Sequence, residues 1–351
     1  MKDSIIRGTK RLCVFVLLAL LVTPCLIAGG QPEAATGEAG VKSPPYVVGL
    51  SNVGPVNPWK VAMAEEVRHS ASQMPDLIRS FHYTDAGGQV AKQIADVEDL
   101  MARGVDLLLV TAVSPSALSP VLERAVDRGI VVVSFDNVVD TDRVTLKIQA
   151  DEEELGGRMM EWLCEQLGGR GRIVMLGGIA GNSTALLRWK GAEDVLENYP
   201  NIEVVGTAWV DWAYDKSKAA MESFLAANPV IDGVWTDGGA SGQGALTALV
   251  EADRLVPLTG TASNGFLRLW RSLRPQGFTS FSVTHPAYCG VPALDYGLRI
   301  LQGEDIPSFL PSQLEVTTDA DIDSLIRDDL SDGFWVHTKL PEEVLLQLFR
   351  R

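Results

Sequence analysis

Between Tyr46 and Gly260, short continuous runs of Val, Ile and Leu alternate with segments whose apolar residues recur at helical spacing. The first runs are Tyr46 to Leu50, Leu77 to Tyr83, Val105 to Val110 and Ile130 to Phe135. Beyond Asp151 come Arg172 to Leu176, Glu203 to Val210, Gly233 to Thr236 and Val256 to Gly260. A strand with no polar face must be covered on both sides, and flanking helices do this in a parallel sheet. The segments between the runs have that character: Val90, Ile94, Val97 and Met101 fall on one stripe of a helix over Gln89 to Arg103. Two series of this kind in succession predict two doubly wound α/β lobes.

The chain opens with Lys2, Arg7, Lys10 and Arg11 ahead of the apolar run Leu12 to Val22, followed by the small residues Ala28, Gly29 and Gly30. This order reads as a cleaved export signal over residues 1–30, and the run is too short and too soon broken by Thr23-Pro24 to span a bilayer. Lipid attachment at Cys25 is the alternative, with which Pro24 fits poorly. The stretch 31–45, rich in Gly, Ala, Pro and Glu, reads as a flexible leader. Location in the periplasm or cell envelope follows. About 320 residues remain, more than one hydrophobic core usually serves. The formal charge of −15 repels phosphate backbones and anionic lipid, which argues against nucleic acid and membrane surfaces as partners. Cys164 and Cys289 lie in different halves and read as small buried hydrophobes rather than a disulfide.

In doubly wound sheets, ligands bind beyond the carboxyl ends of the strands. Polar and aromatic residues gather there: Asn57 and Trp59 after the first run, Asp136 and Asn137 after Phe135, Arg188 after Gly177 to Gly181, Trp212 and Tyr214 after Val210, Asp237 after Thr236, and Asn264 after Gly260. Carboxylates, amides and a guanidinium suit hydroxyl groups, and aromatic faces suit the C–H surface of a sugar ring. Singly, Asn57 and Asp136 also fit turns or caps, Trp59 a core anchor, and Arg188 a surface ion pair. Catalytic and metal motifs fail on spacing. Gly177 to Gly181 is not followed by Gly-Lys-Ser/Thr, Asp319-Ala320-Asp321 lacks the glycine and glutamate of a calcium loop, and the four histidines form no ligand pair. No enzyme, cofactor or metal is expected.

Five stretches carry a resemblance when taken in order. They are Val47 to Ser51 with Asn57-Pro58-Trp59, Gln93 to Leu100, Gly104 to Leu109, Val133 to Asp136, and Gly178 to Gly181 with Arg188. From Tyr46 to about Pro311 the chain resembles the ribose-binding-protein-like group of periplasmic sugar-binding proteins. The resemblance implies the type I periplasmic binding fold, with a first lobe of 46–148 plus 285–312 and a second of 149–284 plus 313–351. It implies three hinge crossings, near Ile148 to Asp151, Thr284 to Pro286 and Pro311 to Glu315. It also implies a monomer that closes on a small neutral sugar and delivers it to an ABC permease in the membrane. A ligand-sensing component for a membrane signalling partner is the alternative. By the same resemblance Asn57, Asp136 and Arg188 bond hydroxyl or ring oxygens, Trp59 and Tyr214 stack on the ring, and Thr284 or His285 touches the ligand from the hinge. Asn137, Gly238 and Ala262 depart from the ribose pattern, with Asp237 and Asn264 as nearby polar substitutes.

Overall fold

The computed structural model describes residues 42–54 and 57–351. The expected signal, with Cys13 and Cys25, lies outside the described residues. Two six-stranded sheets form among them. The first has the order β11-β5-β4-β3-β1-β2, with β1 at Tyr46–Asn52, β2 at Ile78–Asp85, β3 at Leu107–Val110, β4 at Val131–Phe135, β5 at Leu146–Gln149 and β11 at Phe309–Pro311. The second has the order β12-β10-β9-β8-β6-β7, with β6 at Arg170–Gly177, β7 at Asn201–Trp209, β8 at Gly233–Thr236, β9 at Leu258–Gly260, β10 at Ser280–Thr284 and β12 at Glu315–Thr317. Within the two sheets, all described strand pairings are parallel except that of β10 with β12.

The helices are α1 (Pro58–Ser72), α2 (Val90–Ala102), α3 (Pro115–Asp127), α4 (Glu152–Gln166), α5 (Ser183–Leu196), α6 (Tyr214–Ala227), α7 (Gly239–Glu251), α8 (Asn264–Leu273), α9 (Gly290–Leu301), α10 (Ile322–Leu325) and α11 (Glu342–Phe349). They cover both faces of the sheets, which leaves every residue of β1, β3, β4 and β8 buried. Each Leu or Val so enclosed contributes about 1.5–3 kcal/mol. The edge strands β2 and β7 are largely half-buried or exposed, because one side of each carries no further strand.

Local signals set the helix starts nearest the cleft. Asn57 Oδ1 accepts from Lys60 N at 2.9 Å, and Pro58 occupies the first helical position, where a missing N–H costs nothing. Asp151 caps α4 through Glu154 N at 2.8 Å, and Asn182 caps α5 through Ala185 N at 3.1 Å. Each cap fixes where a strand-end loop stops and a helix begins.

The chain crosses between sheets three times. It leaves β5 for α4, returns after β10, and leaves again between β11 and β12. Two crossings are tied together, His285 Nε2 lying 2.8 Å from Ser312 Oγ. The alternation does not stop at Gly260: α8 and α9 follow, and the short strand β5, with half-buried Lys147 and Gln149, lacks the apolar run that marks the others. Cys164 and Cys289 are buried free thiols, and burial pushes Cys164 up to about 12. Among the described residues no helix is long and apolar enough to cross a membrane.

Candidate ligand-binding site

A cavity of about 680 Å³ lies between the sheets, lined by loops that follow strands of both. Asn57, Trp59, Asp136, Asn137, Arg188, Trp212, Tyr214, Asp237, Thr284 and His285 all line it. Asn264 does not. Its Nδ2 donates to the carbonyls of Arg327 (2.7 Å), Leu330 (3.1 Å) and Ser331 (3.1 Å), and its Oδ1 accepts from Arg327 N (3.0 Å). The amide is spent on the C-terminal tail, which corrects the expectation that it faces a ligand.

On the side of the first sheet the polar groups satisfy one another. Asp136 ends β4 with a left-handed φ of 58°, a conformation that costs about 1–3 kcal/mol and turns the residue toward the cavity. Its carboxylate is ion-paired with Lys60. Trp59 donates its indole N–H to the His285 carbonyl at 2.9 Å, and its ring lies 5.7 Å from the imidazole. Burial pushes His285 below its ordinary pKa, which keeps it neutral at pH 7. Ser312, His285 and Asp136 follow one another like a hydrolytic triad, but His285 Nδ1 stands 3.9 Å from Asp136, too far for a hydrogen bond. Ser312 is also absent from the cavity lining.

On the side of the second sheet Arg188 is the centre. Its Nε donates to Glu152 at 2.6 Å, its Nη1 donates to the Asp237 carbonyl at 3.1 Å, and its guanidinium stands 6.0 Å from the Trp212 ring. Burial alone would lower the guanidinium pKa, but Glu152 and Asp237 hold it above its ordinary value. Close approach of α4 to α5 aligns Glu152 with Arg188: a Cβ on Gly156 would fall 1.9 Å from the Arg188 carbonyl oxygen. Trp212, at φ 52°, lies against Gly178, where a Cβ would fall 2.1 Å from the indole. Asp237 is 0 % exposed, and burial pushes its carboxyl up to about 6 against the pull of Arg188.

Five buried side-chain atoms have no hydrogen-bond partner among the described residues: Trp212 Nε1, both oxygens of Asp237, Thr261 Oγ1 and Ser263 Oγ. All belong to residues that line the cavity. A buried group left in this state costs about 1–3 kcal/mol, so the cluster is complete only when something with matching donors and acceptors enters.

Sequence reasoning missed Lys60, Glu152, Thr261, Ser263 and the tail residues Asp332, Gly333 and Trp335. Lys60 directly follows the motif Asn57-Pro58-Trp59, and Glu152 directly follows the first crossing, so position hinted at both. Nothing local marks Trp335.

The profile of the periplasmic binding protein domain matches residues 48–305. The chain is 33% identical over 180 residues to the xylitol-binding protein of Mycolicibacterium smegmatis, covering 51% of this chain and 52% of that protein, so it spans about half of that relative. It is 25% identical over 312 residues to the ribose import binding protein RbsB of Bacillus subtilis, covering 88% and 99%. Among solved structures, the binding component of the arabinose ABC transporter from Shewanella superposes with a TM-score of 0.69 at 27% identity, covering 79% and 93%. A solute-binding protein from Thermobispora bispora shares the fold, with a TM-score of 0.73 at 23% identity over 86% and 94%. With two parallel-dominated lobes, three crossings and this profile match, the chain belongs to the periplasmic binding protein domain family, in its ribose-binding-protein-like, type I group.

Proposed function

We propose that the chain is the solute-binding component of an ABC importer and that its lobes close on a small neutral sugar or sugar alcohol, without catalysing any change in it. The observation that carries this reading is the convergence of five unpartnered buried polar atoms on one cavity. Charge supports neutrality. Lys60 is matched by Asp136, while the single cation of Arg188 faces both Glu152 and Asp237, so carboxylates outnumber cations among these groups and make an anionic solute unwelcome. Trp59, Trp212 and Tyr214 offer apolar faces for C–H surfaces. Asn57, Asp136, Asn137, Arg188, Thr284 and His285 complete the contacts. The named ligands of the relatives, xylitol and ribose, are of this class, and the relative from Shewanella serves an ABC transporter.

Thermal-shift titration with xylitol, D-ribose, L-arabinose, D-xylose and myo-inositol tests the reading. A ligand at a hundred times its Kd stabilises the folded state by about 2.7 kcal/mol, a shift that is easily read. Stabilisation by amino acids and by none of these compounds sinks the assignment. Loss of uptake of the best ligand in cells that lack the chain then separates import from signalling.

A further inference from the structure

The family match ends at residue 305, and the chain then continues through β11 and β12 into a tail over 318–351. The backbone of this tail is fastened to the second lobe. Asn264 N donates to the Phe334 carbonyl at 2.7 Å, Gly265 N to the Asp332 carbonyl at 3.1 Å, and Ser263 forms a β-bridge with Trp335. With the four contacts of the Asn264 side chain, these hold residues 327–335 on the loop that opens α8. A few residues later the same tail touches the first lobe. Thr338 Oγ1 and Lys339 N donate to Glu66 Oε1 at 2.6 and 2.8 Å, and the Lys339 ammonium stands 4.4 Å from the Tyr288 ring. Glu66 lies on α1 and is only 2 % exposed.

Within the first attachment, Asp332, Gly333 and half-buried Trp335 form part of the cavity wall. Gly333 backs onto Pro58, where an added Cβ would stand 3.2 Å from the proline ring. The segment therefore closes one side of the cleft with an indole and bare backbone. Its many bonds to the loop before α8 make it travel with the second lobe, whereas its hold on the first lobe rests on Glu66, Tyr288 and the Pro58 contact. When the lobes part, that smaller set of contacts is the one to break.

We propose that Trp335 is a ligand-contacting, specificity-determining residue of the cavity, and that Glu66 is the positioning residue that draws its strap against the first lobe. The proposal rests on the small-polyhydroxyl reading above and adds a size limit, set by the wall that Trp335 forms on that side.

Both strap donors converge on one Glu66 oxygen, so Glu66→Gln keeps the acceptor and Glu66→Ala removes it. Hydrogen exchange on the full ligand-free chain should show protection of the Lys339 amide in the wild type and in Glu66→Gln, and loss of it in Glu66→Ala. Equal protection in all three overturns the positioning role. Trp335→Ala should weaken the best-bound of xylitol, D-ribose and L-arabinose at least tenfold and newly admit a disaccharide, tested with sucrose and maltose. Unchanged affinities and an unchanged ligand range overturn the contact role. If the wild type binds none of the single-ring or open-chain compounds, the functional reading falls and the role of Trp335 with it, while exchange at Lys339 still decides the strap.

Discussion

On the first lobe Asp136 is paired with Lys60, His285 is bonded to Ser312, and the Trp59 indole N–H is bonded to the His285 carbonyl. On the second lobe Arg188 is paired with Glu152, yet Asp237, Trp212, Thr261 and Ser263 present buried polar atoms without a hydrogen-bond partner. One wall of the cavity is settled without a ligand and the other is not. A paired group must exchange one partner for another when a ligand arrives, so it contributes orientation more than affinity. An unpartnered buried group has already lost its water, and a ligand hydroxyl restores most of what desolvation cost. On the binding function proposed above, the difference leads us to expect most of the binding energy from the second lobe and shape from the first.

The largest expected effect breaks the second-lobe network. Arg188→Ala leaves Glu152 and Asp237, 7 % and 0 % exposed, without their cation, and stripping one partner from a buried pair costs about 3–5 kcal/mol. Affinity measured by calorimetry should fall at least a hundredfold, and small-angle scattering should show the variant staying open with ligand present. A change in Kd of less than threefold would mean that the second lobe does not dominate binding.

A matched pair of neutral substitutions sharpens the comparison. Asp237→Asn should raise the ligand-free melting temperature, because it removes a desolvated charge whose oxygens accept no hydrogen bond, while weakening binding roughly tenfold. Asp136→Asn should lower the melting temperature, because Lys60, 7 % exposed, is left buried without its counter-ion. Shifts of the same sign in both variants would erase the contrast between the lobes.

The smallest effect is one of pH. The Asp237 carboxyl is held at about 6, above its ordinary 3.8, so the folded state binds its proton more tightly than the unfolded chain does. The stabilisation this gives is full below 3.8 and is lost as pH rises through 6. Ligand hydroxyls that donate to the carboxylate favour its charged form and lower its pKa. Affinity should therefore weaken as pH falls from 7.5 to 5, by about tenfold for each unit by which the ligand lowers that pKa. Asp237→Asn should flatten the profile, and a wild-type affinity that is flat or improves in acid would show that the ligand does not donate to Asp237.

Much of the fold was legible because buried parallel strands leave an unbroken apolar run, as in β3 and β4. β5 escaped because a four-residue strand with Lys147 and Gln149 half-buried has no such run. Part of the cavity lining was legible for a related reason: side chains just beyond the ends of parallel strands converge, so position marked Asp136 and Asp237. Asn264 shows the limit. It stands at a strand end like the others, but the tail carbonyls reach its amide first.

The sequence by itself determined two α/β lobes and the family, because strand burial and motif order are written in consecutive residues. Only the tertiary structure decided which polar groups are already partnered. Lys60 reaches Asp136 across 76 positions of the chain, Arg188 reaches Glu152 across 36, and Glu66 takes its donor from Thr338 across 272. Pairing and desolvation depend on distances through space between such residues, and a one-dimensional spacing of that length carries no information about them.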